Sequence, residues 1–193
     1  MAKKSNRNTR GRIVSAAWKL FYEQGYEDTT VEEIIELSGT SKGSFYHYFD
    51  GKDALLSTLS SLFDEKYEEL TGLLTPEMTA MEQLLFLNRE LFHMIEDSIS
   101  LDLLARLYST QLTTNGEKHL LDHNRIYYKL RKIIAKGQSE GQLSSRSNVN
   151  EMVKLYALCE RALLYDWCLC AGEYALTEYS AKVLPGFLSS FLP

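Results

Sequence analysis

The feature that most constrains the fold is a pair of short amphipathic helices separated by a glycine-containing turn of about three residues. Thr30 is a good N-cap, and Glu33 three residues later completes a capping-box pattern that opens the first helix. This helix ends at Gly39, and the second begins near Ser41 and ends before Gly51. Because so short a turn prevents antiparallel packing, the helices must cross steeply, as in a helix-turn-helix.

The second of these helices has an aromatic side and a polar side. Phe45, Tyr48 and Phe49 share one helical face, which predicts the side that packs on the body of the protein. The other side has small or hydrogen-bonding residues, and Gly43 leaves room for a close approach. The residues expected on or near this edge are Ser41, Lys42, Gly43, Ser44 and His47. Such an edge suits the major groove of B-DNA.

The N-terminal segment combines an amphipathic helix with positive charge. Apolar residues recur at helical spacing from Ile13 to Phe21, and Gly25 ends the pattern. Six basic residues and no acidic residue precede Glu23, although the whole chain has a net charge of -5. A basic arm on an acidic protein is compatible with phosphate contacts. We expect its tip to be disordered without DNA.

The remaining sequence predicts helices, so the expected fold class is all-α. The predicted segments after the helix-turn-helix are 52–74, 76–97, 100–113, 117–141, 149–171 and 177–192. Pro185 would kink the last helix or start a separate turn. We found no internal repeat, no low-complexity tract and no convincing strand. The chain therefore divides into a DNA-binding domain over 1–51 and a helical domain over 52–193.

Composition indicates an ordinary globular protein. The chain is 45% hydrophobic and 24% charged. No apolar run approaches the roughly 18 residues that a membrane span needs, so no membrane partner is expected. The three cysteines, Cys159, Cys168 and Cys170, lie in one apolar stretch. An odd number so placed argues against a disulfide framework and favours a cytoplasmic protein.

The segment from Thr9 to Leu59 resembles the DNA-binding domain of the TetR (tetracycline repressor) family. The matching residues are Thr9-Arg10, Ile13, Ala16-Ala17, Leu20-Phe21, Gly25-Tyr26, Thr29-Thr30-Val31, Ile34, Ile35, Ser41 to Phe49, Lys52 and Leu55-Leu56. The resemblance implies a homodimer of about nine helices per subunit. Helices one to three would bind DNA, helices four to seven would enclose an effector pocket, and the last two would pair across the dimer.

The resemblance and the residue chemistry together predict the DNA contacts. Tyr46 and His47 match family positions that contact the backbone or the bases. Lys42 could reach guanine or a phosphate, and Thr30 could donate its hydroxyl to a phosphate. Lys52 opposes the helix dipole at a helix start, which suggests a phosphate contact. The alternatives are a solvated lysine for Lys42 and simple helix caps for Thr30 and Ser41.

A seam of apolar residues predicts the dimer interface. Its members are spaced alternately three and four apart: Leu155, Leu158, Ala162, Tyr165, Leu169 and Gly172. Phe187 and Leu188 of the last helix would extend the interface. The small Ala162 and Gly172 would allow close helix approach. A monomeric core is the alternative, but two strongly apolar C-terminal helices exceed what one thin helical domain buries.

Polar or aromatic residues on otherwise apolar helices are candidates for an effector pocket. They are His93, Arg106, Tyr108, Tyr127, Glu160 and Trp167. The predicted effector is a small apolar or aromatic molecule. An internal salt bridge or an interface rim would also explain Glu160. No cofactor is expected. His119 and His123 are spaced i, i+4 and could bind a transition metal, but surface histidines are the preferred interpretation.

The leading hypothesis is a ligand-responsive repressor, and two alternatives remain. An enzyme or small-molecule carrier is disfavoured, because the sequence has no phosphate-binding glycine loop, nucleophile elbow or metal-ligand cluster. The other alternative is a DNA-binding regulator or activator that responds to a protein partner instead of a small molecule.

Overall fold

A computed structural model describes residues 2–56, 58–113 and 124–193. The helices in these ranges are α1 (Ala2–Gln24), α2 (Val31–Ser38), α3 (Lys42–Tyr48), α4 (Lys52–Leu56), α5 (Leu59–Thr71), α6 (Ala80–Ser98), α7 (Leu101–Thr113), α8 (Asn124–Ser139), α9 (Val149–Leu169) and α10 (Leu176–Leu188), followed by a 3₁₀ turn at Ser189–Phe191. The all-α prediction is confirmed. Among the described residues, no helix has both the length and the apolar character needed to cross a bilayer.

Helices α1, α2 and α3 surround a small apolar core. Its fully buried residues include Ile13, Ala17, Phe21, Ile34 and Phe45. The turn between α2 and α3 depends on Gly39, whose φ of 60° is left-handed and whose N–H donates to the Glu36 carbonyl at 3.0 Å. At the other end of this region, α1 begins at Ala2, whereas we expected a disordered tip.

The predicted helix over 52–74 is wrong, because it consists of two helices, α4 and α5. Thr58 stands at the break. Its backbone N–H and its hydroxyl both donate to the Leu55 carbonyl oxygen, at 2.9 and 2.6 Å. The hydroxyl also accepts a hydrogen bond of 2.9 Å from Nε1 of Trp18 in α1. These contacts end α4 and account for a tenth helix where about nine were expected.

Helix α6 begins four residues later than predicted. The Thr75-Pro76 pair is a helix-start signal, but the observed N-cap is Thr79. Its hydroxyl accepts from the Glu82 N–H at 3.2 Å, and the Glu82 carboxylate accepts from the Thr79 N–H at 2.7 Å. This capping box satisfies two backbone groups at once, so it sets the start of the helix.

Helices α5 to α10 form a second, larger core. Helix α6 packs against α5, α8 and α10, and α9 packs against α7, α8 and α10. Gly137 in α8 allows a close approach to α6, because a Cβ at this position would lie 2.5 Å from the Cβ of Ala80. Pro185 lies inside α10, which continues to Leu188 before the 3₁₀ turn. Helices α6, α9 and α10 thereby share one interior, where the candidate effector residues are considered below.

Candidate nucleic-acid interface and effector residues

Aromatic residues hold α3 to the protein. Phe45 is fully buried, and Phe49 is only 5% exposed. The two rings lie 5.9 Å apart, and the Arg10 guanidinium lies 5.4 Å from the centre of the Phe49 ring. Ser41 caps the helix, since its hydroxyl accepts from the Ser44 N–H at 3.1 Å. The inward aromatic side of α3 agrees with the sequence prediction.

The opposite edge of α3 faces solvent. Its exposed residues are Ser41, Lys42, Gly43, Tyr46 and His47, with Ser44 half-buried. The Lys42 ammonium lies 3.6 Å from the Glu32 carboxylate and 6.0 Å from the centre of the Tyr46 ring. Exposed ion pairs are weak, so a phosphate could replace Glu32 at low cost. The edge therefore offers hydroxyl, imidazole and ammonium groups to a ligand.

Thr30 caps α2 with its backbone and its side chain. The hydroxyl accepts from the Glu33 N–H at 3.2 Å and donates to the Glu33 carboxylate at 2.8 Å. The Thr30 N–H donates to the same carboxylate at 2.8 Å, and these hydrogen bonds lower the pKa of Glu33. To donate its hydroxyl to a phosphate, as predicted, Thr30 would have to break its hydrogen bond to the Glu33 carboxylate.

Lys52 joins the start of α4 to the turn between α1 and α2. Its ammonium donates to the carbonyl oxygens of Tyr26 at 2.6 Å, Glu27 at 3.2 Å and Thr29 at 2.9 Å. An ammonium has three N–H donors, and these bonds use all of them. We expected a phosphate contact from Lys52. The structure instead supplies an intramolecular reason for a lysine at this helix start.

Arg106, one of the predicted effector residues, contacts the N-terminal region of the chain. Its guanidinium is 2.9 Å from the Glu27 carboxylate and 5.3 Å from the centre of the Tyr26 ring. The Tyr26 ring is fully buried, its hydroxyl donates to Asp53, and the Lys52 ammonium lies 4.3 Å from its centre. Burial and Asp53 raise the pKa of Tyr26. Arg106 therefore connects α7 to the turn that precedes α2.

Glu160 occupies the centre of a buried polar cluster in the C-terminal helices. Its carboxyl group accepts from Nδ2 of Asn88 at 3.0 Å and from the Tyr67 hydroxyl at 3.2 Å. The Asn88 Oδ1 accepts from the Ser180 hydroxyl. Each of these four side chains is at most 2% exposed. Burial raises the pKa of Glu160 to about 7, although its hydrogen bonds act in the opposite direction. Such groups are frequent at functional sites.

Two predicted effector residues contact Arg161, the residue that follows Glu160 in α9. The Tyr108 hydroxyl donates to the Arg161 carbonyl oxygen, and the Tyr127 hydroxyl accepts from the Arg161 guanidinium, each at 3.4 Å. Burial is the largest cause that raises the pKa of Tyr108. Tyr108, Tyr127 and Glu160 thus belong to one neighbourhood.

The other predicted effector residues do not join this neighbourhood. Trp167 is buried, and its Nε1 donates to the Tyr174 carbonyl oxygen at 2.9 Å. His93 is largely exposed and lies 3.5 Å from Asp97 on its own helix. The alternative metal ligands His119 and His123 lie outside the described residues. Within the described ranges, no group of three or more His, Cys, Asp or Glu side chains could hold a metal ion.

An apolar stripe runs along the outer face of α9. It is formed by five exposed residues: Leu155, Leu158, Ala162, Tyr165 and Leu169. The opposite face of α9 is buried, so the helix is apolar on both sides. Phe187 on α10 is 38% exposed. Leu188, by contrast, is fully buried, and a Cβ on Gly172 would lie 2.5 Å from Leu101 of the same chain. The prediction that Leu188 and Gly172 lie at the dimer interface is therefore wrong, because both pack inside the subunit.

The sequence comparisons with known proteins concern mainly the N-terminal part of the chain. Residues 13–59 match the family model described as bacterial regulatory proteins, tetR family. QacR of Staphylococcus aureus, an HTH-type transcriptional regulator, is 36% identical over 62 residues, which are 32% of this chain and 33% of QacR. A regulator from the lacX 3′ region of Lactococcus lactis is 39% identical over 56 residues, 28% and 29% of the two chains. The chain thus matches no more than a third of these relatives.

The structural likeness extends over nearly the whole chain. FadR of Thermus thermophilus, a TetR-family transcriptional repressor solved in complex with lauroyl-CoA, matches with a TM-score of 0.75 and 25% identity, over 95% of each chain. The N-terminal sequence match and the full-length structural match therefore agree. Residues 13–59 therefore match the DNA-binding region of the tetR family of bacterial regulatory proteins, and the chain as a whole shares the fold of a TetR-family repressor.

Proposed function

We propose that the protein is a repressor that binds operator DNA as a homodimer and is released by a small-molecule effector. The observation that carries the proposal is the solvent-facing polar edge of α3, backed by the buried Phe45 and Phe49. Lys42 and His47 read base edges or bind phosphates, and Tyr46 contacts the backbone. Thr30 and Lys52 act mainly by holding the reading helix in position, because their donors are engaged within the chain.

The stripe along α9 is proposed as the centre of the dimer interface, with Phe187 beside it. Its support is the apolar character of both faces of α9, one of which has no covering helix among the described residues. A two-fold axis through this stripe would pair the last two helices of each subunit. The two α3 helices would then approach successive major grooves, roughly 34–36 Å apart.

The effector is proposed to act among the C-terminal helices and to have an apolar or aromatic part. The neighbourhood of Glu160, Tyr108 and Tyr127 supplies the polar recognition groups. Arg106 offers a route for the response, because it contacts the turn before α2 from α7. The effector would favour the conformation whose half-site spacing does not fit the operator. Since FadR of T. thermophilus was solved with lauroyl-CoA, operator release should be tested with lauroyl-CoA against coenzyme A alone.

The DNA-binding proposal can be tested with DNA selected from a random pool by the purified protein. We expect Lys42→Ala and His47→Ala each to weaken binding about 5- to 150-fold at constant salt, as loss of a base contact costs roughly 1–3 kcal/mol. Lys182→Ala is the matched control, since Lys182 is exposed on α10. Fluorescence anisotropy of labelled DNA gives the affinities. Unchanged affinity in both α3 variants would overturn the assignment of the reading edge.

The dimer proposal has its own test. Leu158→Glu introduces a charge in the middle of the stripe, where Leu158 is 52% exposed in the subunit. We expect this variant to sediment as a folded monomer and to lose at least tenfold in operator affinity. Leu73→Glu is the control, because Leu73 is 58% exposed but lies off the stripe. A Leu158→Glu protein that remains a dimer would exclude the stripe as the interface.

A further inference from the structure

A groove of about 590 Å³ lies between α6 and α10. Its apolar walls are formed by Met78, Leu85, Phe86, Ala181, Leu184 and Pro185. This volume is in the range of pockets that bind drug-sized molecules, about 300–1,000 Å³. None of the predicted effector residues borders the groove itself, although its floor adjoins the buried cluster around Glu160.

The floor of the groove is polar and held in position. Asn88 and Ser180 form it, and they are 2% and 0% exposed. The Ser180 hydroxyl donates to Oδ1 of Asn88, whose Nδ2 donates to Glu160 at 3.0 Å. An amide nitrogen carries two N–H groups, and the bond to Glu160 uses one of them. Hydrogen-bonded polar groups therefore lie directly beneath the apolar walls of the groove.

The mouth of the groove has an excess of negative charge. Glu77 and Glu82 border it and are exposed. Hydrogen bonds from the preceding threonines lower the pKa of both carboxyl groups, so both are ionised at neutral pH. The Arg89 guanidinium also borders the groove, but it lies 2.9 Å from the carboxylate of Glu90. Among the groups that border the groove, the two carboxylates outnumber the one guanidinium, so the mouth has a net negative charge.

We propose that this groove binds an organic cation with an apolar body. The cationic group lies at the mouth near Glu77 and Glu82, and the apolar body rests against the walls. The Arg89 guanidinium lies 5.5 Å from the centre of the Phe86 ring, so this ring serves as part of the apolar wall. Binding requires neither DNA nor the proposed dimer. Ala181 lies about 160° around α10 from Tyr179, an aromatic residue that is 41% exposed, so the groove and Tyr179 are on different sides of this helix.

Three probes with the same apolar body test the charge preference. Phenylbutyl-trimethylammonium, 4-phenylbutanol and 5-phenylpentanoate should be titrated into the full-length protein by isothermal calorimetry. We expect the cation to bind at least tenfold more tightly than the carboxylate, with the alcohol between them. Equal affinities would overturn the cation assignment, and no binding by any probe would overturn the site. Both outcomes leave the DNA-binding proposal untouched.

Variants then locate the binding site. Ala181→Phe projects a ring into the groove from an exposed position and should reduce cation affinity at least tenfold. Glu82→Gln should reduce it roughly two- to fivefold, the usual range for an exposed charge pair. Glu151→Gln is the matched control, because Glu151 has the same capping-box role at the start of α9. Unchanged affinity in Ala181→Phe, or equal losses in the two glutamine variants, would overturn the assignment to this groove.

Discussion

The N-terminal helices and the C-terminal helices bury different kinds of side chain. Among the described residues of α1 to α4, no carboxyl group is buried, and the polar groups of the reading edge face solvent. In α5 to α10, by contrast, Glu160 and three other polar side chains occupy the core. Burying a carboxyl group costs free energy, which its raised pKa reflects.

This difference separates two ways of building a functional region. The DNA-binding region presents its polar groups outward, and its apolar core holds α3 in position. The C-terminal region keeps polar chemistry inside, where a small conformational change can alter several hydrogen bonds together. Arg106 joins the regions at the Tyr26 turn. The comparison predicts that substitutions in the N-terminal region will change both stability and DNA affinity. Equivalent substitutions in the C-terminal region will change mainly stability.

The largest effect is expected for Phe45→Ala. Removing a fully buried phenylalanine costs about 3–5 kcal/mol, and α3 loses its anchor. Operator binding should be lost, and the N-terminal helices should unfold at a lower urea concentration than in wild type. Circular dichroism measures this unfolding. Tyr46→Ala is the neighbouring control, because Tyr46 is 46% exposed and should change stability by less than about 0.5 kcal/mol. A Phe45→Ala protein as stable as wild type would contradict the interpretation that this core holds α3 in position.

Glu160 gives the next largest effect, and it depends on pH. Its pKa is about 7 in the folded chain against an ordinary value of 4.5, so the folded state holds a proton that the unfolded state releases. The free energy of unfolding should therefore fall, relative to Glu160→Gln, by roughly 3 kcal/mol as pH rises from about 5 to about 8.

The N-terminal Glu33 supplies the contrast for this experiment. Hydrogen bonds from Thr30 lower its pKa, so its contribution is present at neutral pH and is lost on acidification. The pH dependence of wild type relative to Glu33→Gln should have the opposite sign to that measured with Glu160→Gln. The same sign in both comparisons would show that the two regions do not treat carboxyl groups differently.

Two equivalent helix caps give a smaller effect. Thr30→Ala and Thr79→Ala each remove the side-chain cap of a capping box and should cost about 1 kcal/mol. Only Thr30→Ala should also weaken operator binding, because Thr30 opens the helix that precedes the reading helix. Chemical denaturation and anisotropy titrations on the same preparations separate these outcomes. Equal losses of DNA affinity would remove the distinction between the regions.

The smallest change in stability is expected for Arg106→Ala. Its partner Glu27 is exposed, so the ion pair should contribute less than about 1 kcal/mol. Operator affinity should nevertheless change severalfold, because the contact fixes the N-terminal helices against α7. Arg89→Ala is the control, since Arg89 also pairs with a glutamate but within its own helix. An identical operator affinity in wild type and both variants would remove Arg106 from the coupling route.

The sequence predicted the helix-turn-helix well because its signals are local. The capping box at Thr30, the left-handed Gly39 and the aromatic spacing of α3 all act within a few residues. The start of α6 was missed although a second capping-box pattern, Thr79 to Glu82, was present in the sequence. The break at Thr58 had no comparable local signal, because its side chain also contacts Trp18, forty residues away.

What the sequence determined by itself is therefore the helical character of the chain and the apolar face of its helices, but not every helix boundary. The tertiary structure decided which polar groups meet. Arg106 contacts Glu27, and Glu160 contacts Asn88 and Tyr67, at separations of 72 and 93 residues along the chain for the last two. The spacing of apolar residues shows which face of a helix is buried, but it does not show which other helix packs against that face. Pairings between distant helices depend on how whole faces pack, which only the folded chain specifies.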